Sequence, residues 1–135
     1  MQNVSMKNEN YLTDVNEKPY NIQQRIFLFG LNIIRLSEHL PHNQVGKILC
    51  NQLVRSGTSI GANMEEATAA SSKQDFIYKA NISLREARET NYWLRLIKES
   101  EMVNSPQLDE LVMESIELMK ILGAIVSKAR GKRKV

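Results

Sequence analysis

Apolar residues recur along this chain at alternating intervals of four and three, in four separate stretches, and that period belongs to one face of an α-helix. The first stretch, from about Tyr20 to Leu40, carries Ile22, Ile26, Phe29, Ile33, Leu36 and Leu40. Pro41 is expected to stop it, because the residue before a proline is disfavoured in helical conformation. The second runs from about Asn43 to Ala70 and carries Leu49, Leu53, Ser56, Ile60, Asn63 and Ala67. The third opens at "SSKQD", where Ser72 suits an N-cap and Asp75 suits the first turn. Its stripe is Phe76, Ala80, Ser83, Ala87, Thr90, Leu94 and Ile97. "NSPQ" begins the fourth, with Ser105 as cap and Pro106 at the first helical position, followed by Leu108, Val112, Ser115, Met119, Leu122 and Val126. Strand alternation and internal repeats are missing. Heptad spacing with short connections predicts an all-α, up-down antiparallel four-helix bundle over residues 20–127, between a polar N-terminal arm (1–19) and a basic C-terminal tail (128–135).

The second stripe is unusual because Ser56 and Asn63 stand in core positions within "RSGTSIGANMEEA". Buried without a partner, such groups cost about 1–3 kcal/mol, so each is expected to bond a facing helix, where Ser83, Ala87 and Thr90 offer small or polar company. Gly57 and Gly61 lie one turn apart and imply close backbone approach. Beside the third stripe run Ile82, Glu86, Glu89, Trp93 and Leu96, a face for which Arg55 and Glu66 are natural partners. The expected result is a structural polar seam of Arg55, Ser56, Ser59, Asn63, Glu66, Ser83, Glu86 and Glu89. Within it Arg55 meets Glu86 or Glu89, and Asn63 fixes helix register. Further apolar residues lie off the main stripes: Phe27, Leu31 and Ile34 on the first helix, and Leu111, Ile116, Leu118, Ile121 and Ile125 on the fourth. A wide apolar circumference implies a second burial event, most simply self-association; the competing reading is one broad core face.

The 135 residues suffice for one core, and 42% hydrophobic with 24% charged residues is ordinary for a folded domain. The single cysteine, Cys50, is expected to be a buried, inert thiol. The N-terminal segment has no apolar run of signal-peptide length, and the longest apolar cluster, "IFLFGLNII", is far short of a membrane span, so a cytoplasmic location without membrane contact is expected. After Glu117 every charge is positive: Lys120, Lys128, Arg130, Lys132, Arg133 and Lys134. Such an end attracts phosphate and also solubilises.

Catalytic chemistry lacks its parts. Glu86 and Glu89 have the spacing but not the histidine of a di-iron bundle, and His39 and His42 flank Pro41 without further ligands. Phosphate-cradling and dinucleotide motifs are missing, and Ser56 or Ser59 in mid-helix is poorly placed as a nucleophile. Neither an enzyme nor a cofactor or metal is expected. Phe76, Tyr78, Tyr92 and Trp93 sit at helix-spaced positions that suit core or interface better than base-stacking platforms.

The segment "QLVRSGTSIGANMEEATAASSKQDFIYKANISLREARETNYWLRLI", Gln52 to Ile97, resembles the signature of four-helix-bundle proteins named for intervening sequences in 23S ribosomal RNA genes. A looser likeness extends from about Asn21 to Arg130. The family's shared pattern falls here on Arg55, Ser56, Ser59, Ile60, Asn63, Glu66, Ser83, Glu86, Glu89 and Trp93, and implies no catalytic role for them. The resemblance implies an up-down bundle assembled as a homopentamer. It also implies kinship with the accessory variability determinants of diversity-generating retroelements, basic pentamers that work with a reverse transcriptase and nucleic acid. The leading expectation is therefore a non-enzymatic oligomer that touches structured RNA or DNA through Lys120, Lys128, Arg130, Lys132, Arg133 and Lys134. The alternative is a protein-binding scaffold, for example an adaptor to a reverse transcriptase.

Overall fold

A computed structural model describes residues 21–131 and shows four helices: α1 (Ile22–Ser37), α2 (Gln44–Thr68), α3 (Lys73–Ser100) and α4 (Pro106–Ala129). A short polar side chain caps each one. Asn21 accepts from the Gln24 N–H at 2.7 Å, Asn43 from Gly46 at 2.8 Å, Ser72 from Asp75 at 3.0 Å and Ser105 from Gln107 at 3.1 Å. Each bond satisfies one of the donors that a helix start leaves free. The first helix stops at Ser37 rather than Leu40. With Pro41 forcing Leu40 out of helical geometry, the chain tightens through bonds from Glu38 and His39 to Arg35 and Leu36, and Leu40 still reaches the core. At its other end α3 closes on Glu101 in left-handed conformation (φ 61°).

The helices pack in chain order, α1 on α2, α2 on α3, α3 on α4, with α4 returning to α1. This is an up-down four-helix bundle, held by one continuous core in which Phe29, Ile33, Leu53, Leu94, Leu118 and Leu122 are almost wholly buried. Three positions differ from the heptad expectation. Asn63 is only half-buried and Met64 takes its place in the core. Ile60 and Ala67 on either side are buried as expected, so the difference is confined to the one turn, where Met64, four residues after Ile60 and three before Ala67, shares their face. On α4 the core takes Leu111 and Leu118, while Val112 and Met119 pack at its margin. Two members of the expected surplus apolar face are therefore core residues.

Glycine sets how closely α1 meets α2. A Cβ at Gly46 would lie 1.9 Å from the Pro41 carbonyl oxygen, so the turn between the two helices closes only without a side chain there. At Gly57 a Cβ would fall 2.8 Å from Cγ2 of Ile33, a wholly buried branched residue with nowhere to retreat. Gly123 has open space around the same position. Gly57→Ala is expected to lower unfolding stability by about 1–3 kcal/mol through overpacking. Gly123→Ala is expected to raise it by up to about 1 kcal/mol through helix propensity. Urea titration of the two variants checks the opposite signs.

Candidate functional site

Polar groups organise the interior along α3. Ser56, Ser83, Thr90, Asn91 and Ser115 are all buried. Ser83 donates across the interface to the Ile60 carbonyl of α2 at 2.7 Å. The Thr90 and Ser56 hydroxyls lie 3.0 Å apart, and each also reaches a carbonyl of its own helix, Glu86 at 2.7 Å and Gln52 at 2.9 Å. On the opposite flank of α3, Asn91 donates to the Ser115 hydroxyl of α4 at 2.8 Å and accepts from Arg95 Nε at 2.8 Å. The amide that joins two helices is thus Asn91, not Asn63, which donates to the Ser59 carbonyl one turn back at 2.8 Å. Ser59 itself donates to Arg55 of its own helix at 2.6 Å.

At the rim of α2 and α3, Arg55 reaches Glu86 at 3.4 Å and pairs with Glu89, which also accepts from Trp93 Nε1 at 3.0 Å. Glu66 stands apart from this group and faces Lys79 at 3.9 Å. About half of the Arg55 side chain is in solvent, and Arg55, Glu86 and Glu89 line neither the α1–α2 groove nor the hollow at the α1–α2 turn. The two carboxylates are thus engaged by one guanidinium and one indole at a partly exposed rim. Among the described residues no group of three His, Cys, Asp or Glu side chains is placed to hold a metal ion. His39 and His42 are exposed at the first turn, and Cys50 is half-buried, its Sγ 4.0 Å from the Ser37 carbonyl.

A second ion pair, not anticipated from the sequence, closes the bundle where it is thinnest. Arg25 of α1 donates through Nε and Nη2 to the two carboxylate oxygens of Glu114 on α4, at 2.6 and 2.9 Å. That hydrogen bond to Glu114 raises the Arg25 pKa above its ordinary value against the opposing pull of burial, so the guanidinium stays charged at any pH near neutrality. The raised pKa favours the folded state at all pH below it and would be lost only on strong alkalinisation.

Of the cationic end, Lys120, Lys128 and Arg130 are exposed on α4 or at its cap, and Lys120 lies 3.8 Å from Glu117. Lys132, Arg133 and Lys134, like the N-terminal arm, lie outside the described residues. The aromatic expectation divides. Phe76 and Trp93 pack against the core, but Tyr78 and Tyr92 are 64% and 47% exposed and belong to no core. Their recurrence with Arg85 at seven-residue intervals was the available signal: Tyr78, Arg85 and Tyr92 share one outward face. Phe27 and Ile34 are exposed too, along a mainly apolar groove of about 280 Å³ between α1 and α2 that Gly30, Gly57 and Gly61 floor. No helix among the described residues is long and apolar enough to cross a membrane.

The two arginine pairs differ in exposure, 15% for the Arg25 side chain and 47% for Arg55. Arg25→Ala strands a half-buried carboxylate and is expected to cost about 1–3 kcal/mol. Arg55→Ala is expected to cost no more than about 1 kcal/mol. Thermal melts of both variants check the order; a larger loss for Arg55 would show that the rim, not the α1–α4 clip, holds the bundle.

No curated protein matches the chain. A crystal structure of a protein of unknown function from the S23 ribosomal protein family of Bacteroides thetaiotaomicron superposes with a TM-score of 0.73 at 39% identity, covering 78% of this chain and 98% of that one. The model of the family described as 23S rRNA-intervening sequence protein matches residues 18–124, nearly the whole four-helix body. The heptad-built bundle, with its buried hydroxyls and rim ion pair, belongs to the 23S rRNA-intervening sequence protein family.

Proposed function

We propose that this protein is a non-enzymatic, self-associating helical bundle that contacts structured RNA or DNA electrostatically. The observation that carries the reading is the segregation of charge. Up to Glu117 the chain has 12 Lys and Arg against 15 Asp and Glu, a net −3, and beyond it six cations and no acid. The chain before the end of α4 offers a phosphate backbone no net attraction, and the end of α4 attracts it. Lys128 and Arg130 project into solvent where α4 finishes, and Lys132, Arg133 and Lys134 continue the run. One such end binds weakly. Several brought together by self-association bind through avidity, with no base-specific contact. A homopentamer, which the resemblance to accessory variability determinants suggests, would present five.

A labelled rRNA-like hairpin and a DNA hairpin of the same sequence, followed by fluorescence anisotropy, are expected to bind at low salt and to weaken steeply toward physiological salt. Replacing Lys128, Arg130, Lys132, Arg133 and Lys134 by Gln is expected to abolish that binding. Unchanged binding would show that the basic end only solubilises.

The α1–α2 groove favours a second reading. Exposed Phe27 and Ile34 over a glycine floor suit the side chains of another helix, from a second copy or from a protein partner such as a reverse transcriptase. Phe27→Glu with Ile34→Glu is expected to reduce the mass in solution to that of one chain, 15.5 kDa. A wild-type protein already of that mass would give the groove to a partner and make the protein an adaptor.

A further inference from the structure

The outward face of α3 carries a pattern that the basic end of α4 does not explain. Tyr78, Asn81, Arg85, Arg88, Tyr92 and Arg95 follow one another at intervals of three and four, which places them in a single stripe about 25 Å long. All but the half-buried Asn81 are exposed. None of the three arginines lies within 4.0 Å of a carboxylate among the described residues, although six ion pairs form elsewhere. The neighbouring acids Glu86 and Glu89 are turned toward α2 and engaged by Arg55, so they do not neutralise the stripe. Glu99, one turn past Arg95, marks its end.

The stripe is also partly fixed in place. Arg95 is tethered by its Nε to Asn91, itself anchored on Ser115, and its terminal nitrogens make no hydrogen bond among the described residues. The Tyr92 ring, 47% exposed, has the Arg95 guanidinium carbon 5.8 Å from its centroid and meets Trp93 at 69° with the ring centroids 5.1 Å apart. Exposed arginines flanked by exposed aromatic rings, one of the cations tethered, match one ligand chemistry: a polyanion whose repeating units also offer flat π-faces. A duplex hides its bases in the stack, whereas an unpaired strand presents them.

We propose that the α3 stripe binds single-stranded nucleic acid, with Arg85, Arg88 and Arg95 on successive phosphates and Tyr78 and Tyr92 stacked on bases. This rests on the reading of the protein as a nucleic-acid binder and adds to it a second surface with a different preference. The basic end takes the backbone of a folded region, and α3 takes an adjoining unpaired segment.

The test uses the full chain, a labelled oligo(dT) of 20 nucleotides and the same hairpins, with anisotropy as readout and circular dichroism to verify folding. Tyr78→Ala with Tyr92→Ala changes only exposed side chains. It is expected to weaken oligo(dT) binding at least about tenfold and leave hairpin binding within about twofold. Arg85→Gln, Arg88→Gln and Arg95→Gln together are expected to lower the slope of log K against log salt on oligo(dT) by about 2. If the tyrosine variant binds oligo(dT) like the wild type, the stripe is not a stacking surface, and hairpin binding can stand without it. If poly-glutamate displaces oligo(dT) at equal charge concentration, the stripe is a general polyanion surface and an acidic protein segment fits it as well. If the wild type binds neither probe at low salt, both the stripe and the wider reading fall.

Discussion

The α2–α3 interface is the constraint on which the bundle depends. On the α3 side its buried residues are small, Ala80, Ser83, Ala87 and Thr90, and Ser56 is small on the α2 side, so the helices can approach closely enough for Ser83 to reach a backbone carbonyl of α2. Close approach excludes water, and exclusion obliges every hydroxyl in the seam to find an acceptor. The geometry meets that demand in two ways. Ser83 uses a carbonyl of the opposite helix, which locks the two helices along their common axis. Ser56 and Thr90 bond back to carbonyls of their own turns and place their hydroxyls 3.0 Å apart, a polar pair inside the seam. A slip of one residue would take the Ser83 hydroxyl from its acceptor, at about 1–3 kcal/mol, and part the Ser56 and Thr90 hydroxyls. Register is therefore favoured by polar groups at two levels of the interface.

Much of this was legible in the chain, because the period that makes a helix amphipathic is the one that buries its stripe. Four helices, their caps at Ser72 and Ser105, the stop before Pro41 and the core positions of Ser56, Ser83 and Thr90 follow from spacing and local chemistry. What escaped has a local cause. Spacings of three and four residues both keep one helix face, so a stripe can be drawn with either of two adjacent residues at a given turn. Met64 for Asn63, Leu111 for Val112, and Leu118 for Met119 are all one-residue differences of that kind. Asn91 escaped because an amide beside Thr90 reads as polar surface until α4 supplies Ser115 opposite it. Arg25 and Glu114 are 89 residues apart, and nothing local links them.

Helical offset also bears on function. On α3, where the expected stripe is the buried one, successive residues point about 100° apart, which separates two populations of charge that are interleaved in sequence. Glu86 and Glu89 go to the α2 rim, while Arg85, Arg88 and Arg95 go outward. "SLREARETNYWLR" alternates in sign on paper, and that alternation conceals a cationic face and, apart from it, two acids that Arg55 of α2 engages. Net charge alone, +3 for the chain, is too coarse to register either.

Two cationic surfaces of different character then have different physical consequences. The end of α4 carries flexible-stemmed lysines and arginines without aromatic neighbours, a point-charge array suited to any phosphate lattice. The α3 face carries planar guanidiniums beside planar phenol rings on a rigid helix, with Arg95 anchored to the core through Asn91. Rigidity lowers the entropy lost on binding, and aromatic faces favour bases that are free to stack. A nucleic acid with a paired stem and an unpaired flank would satisfy both surfaces at once, whereas a uniform duplex would satisfy only the first. Discrimination between those two forms would then arise from the shape of the ligand, without a single hydrogen bond to a base edge.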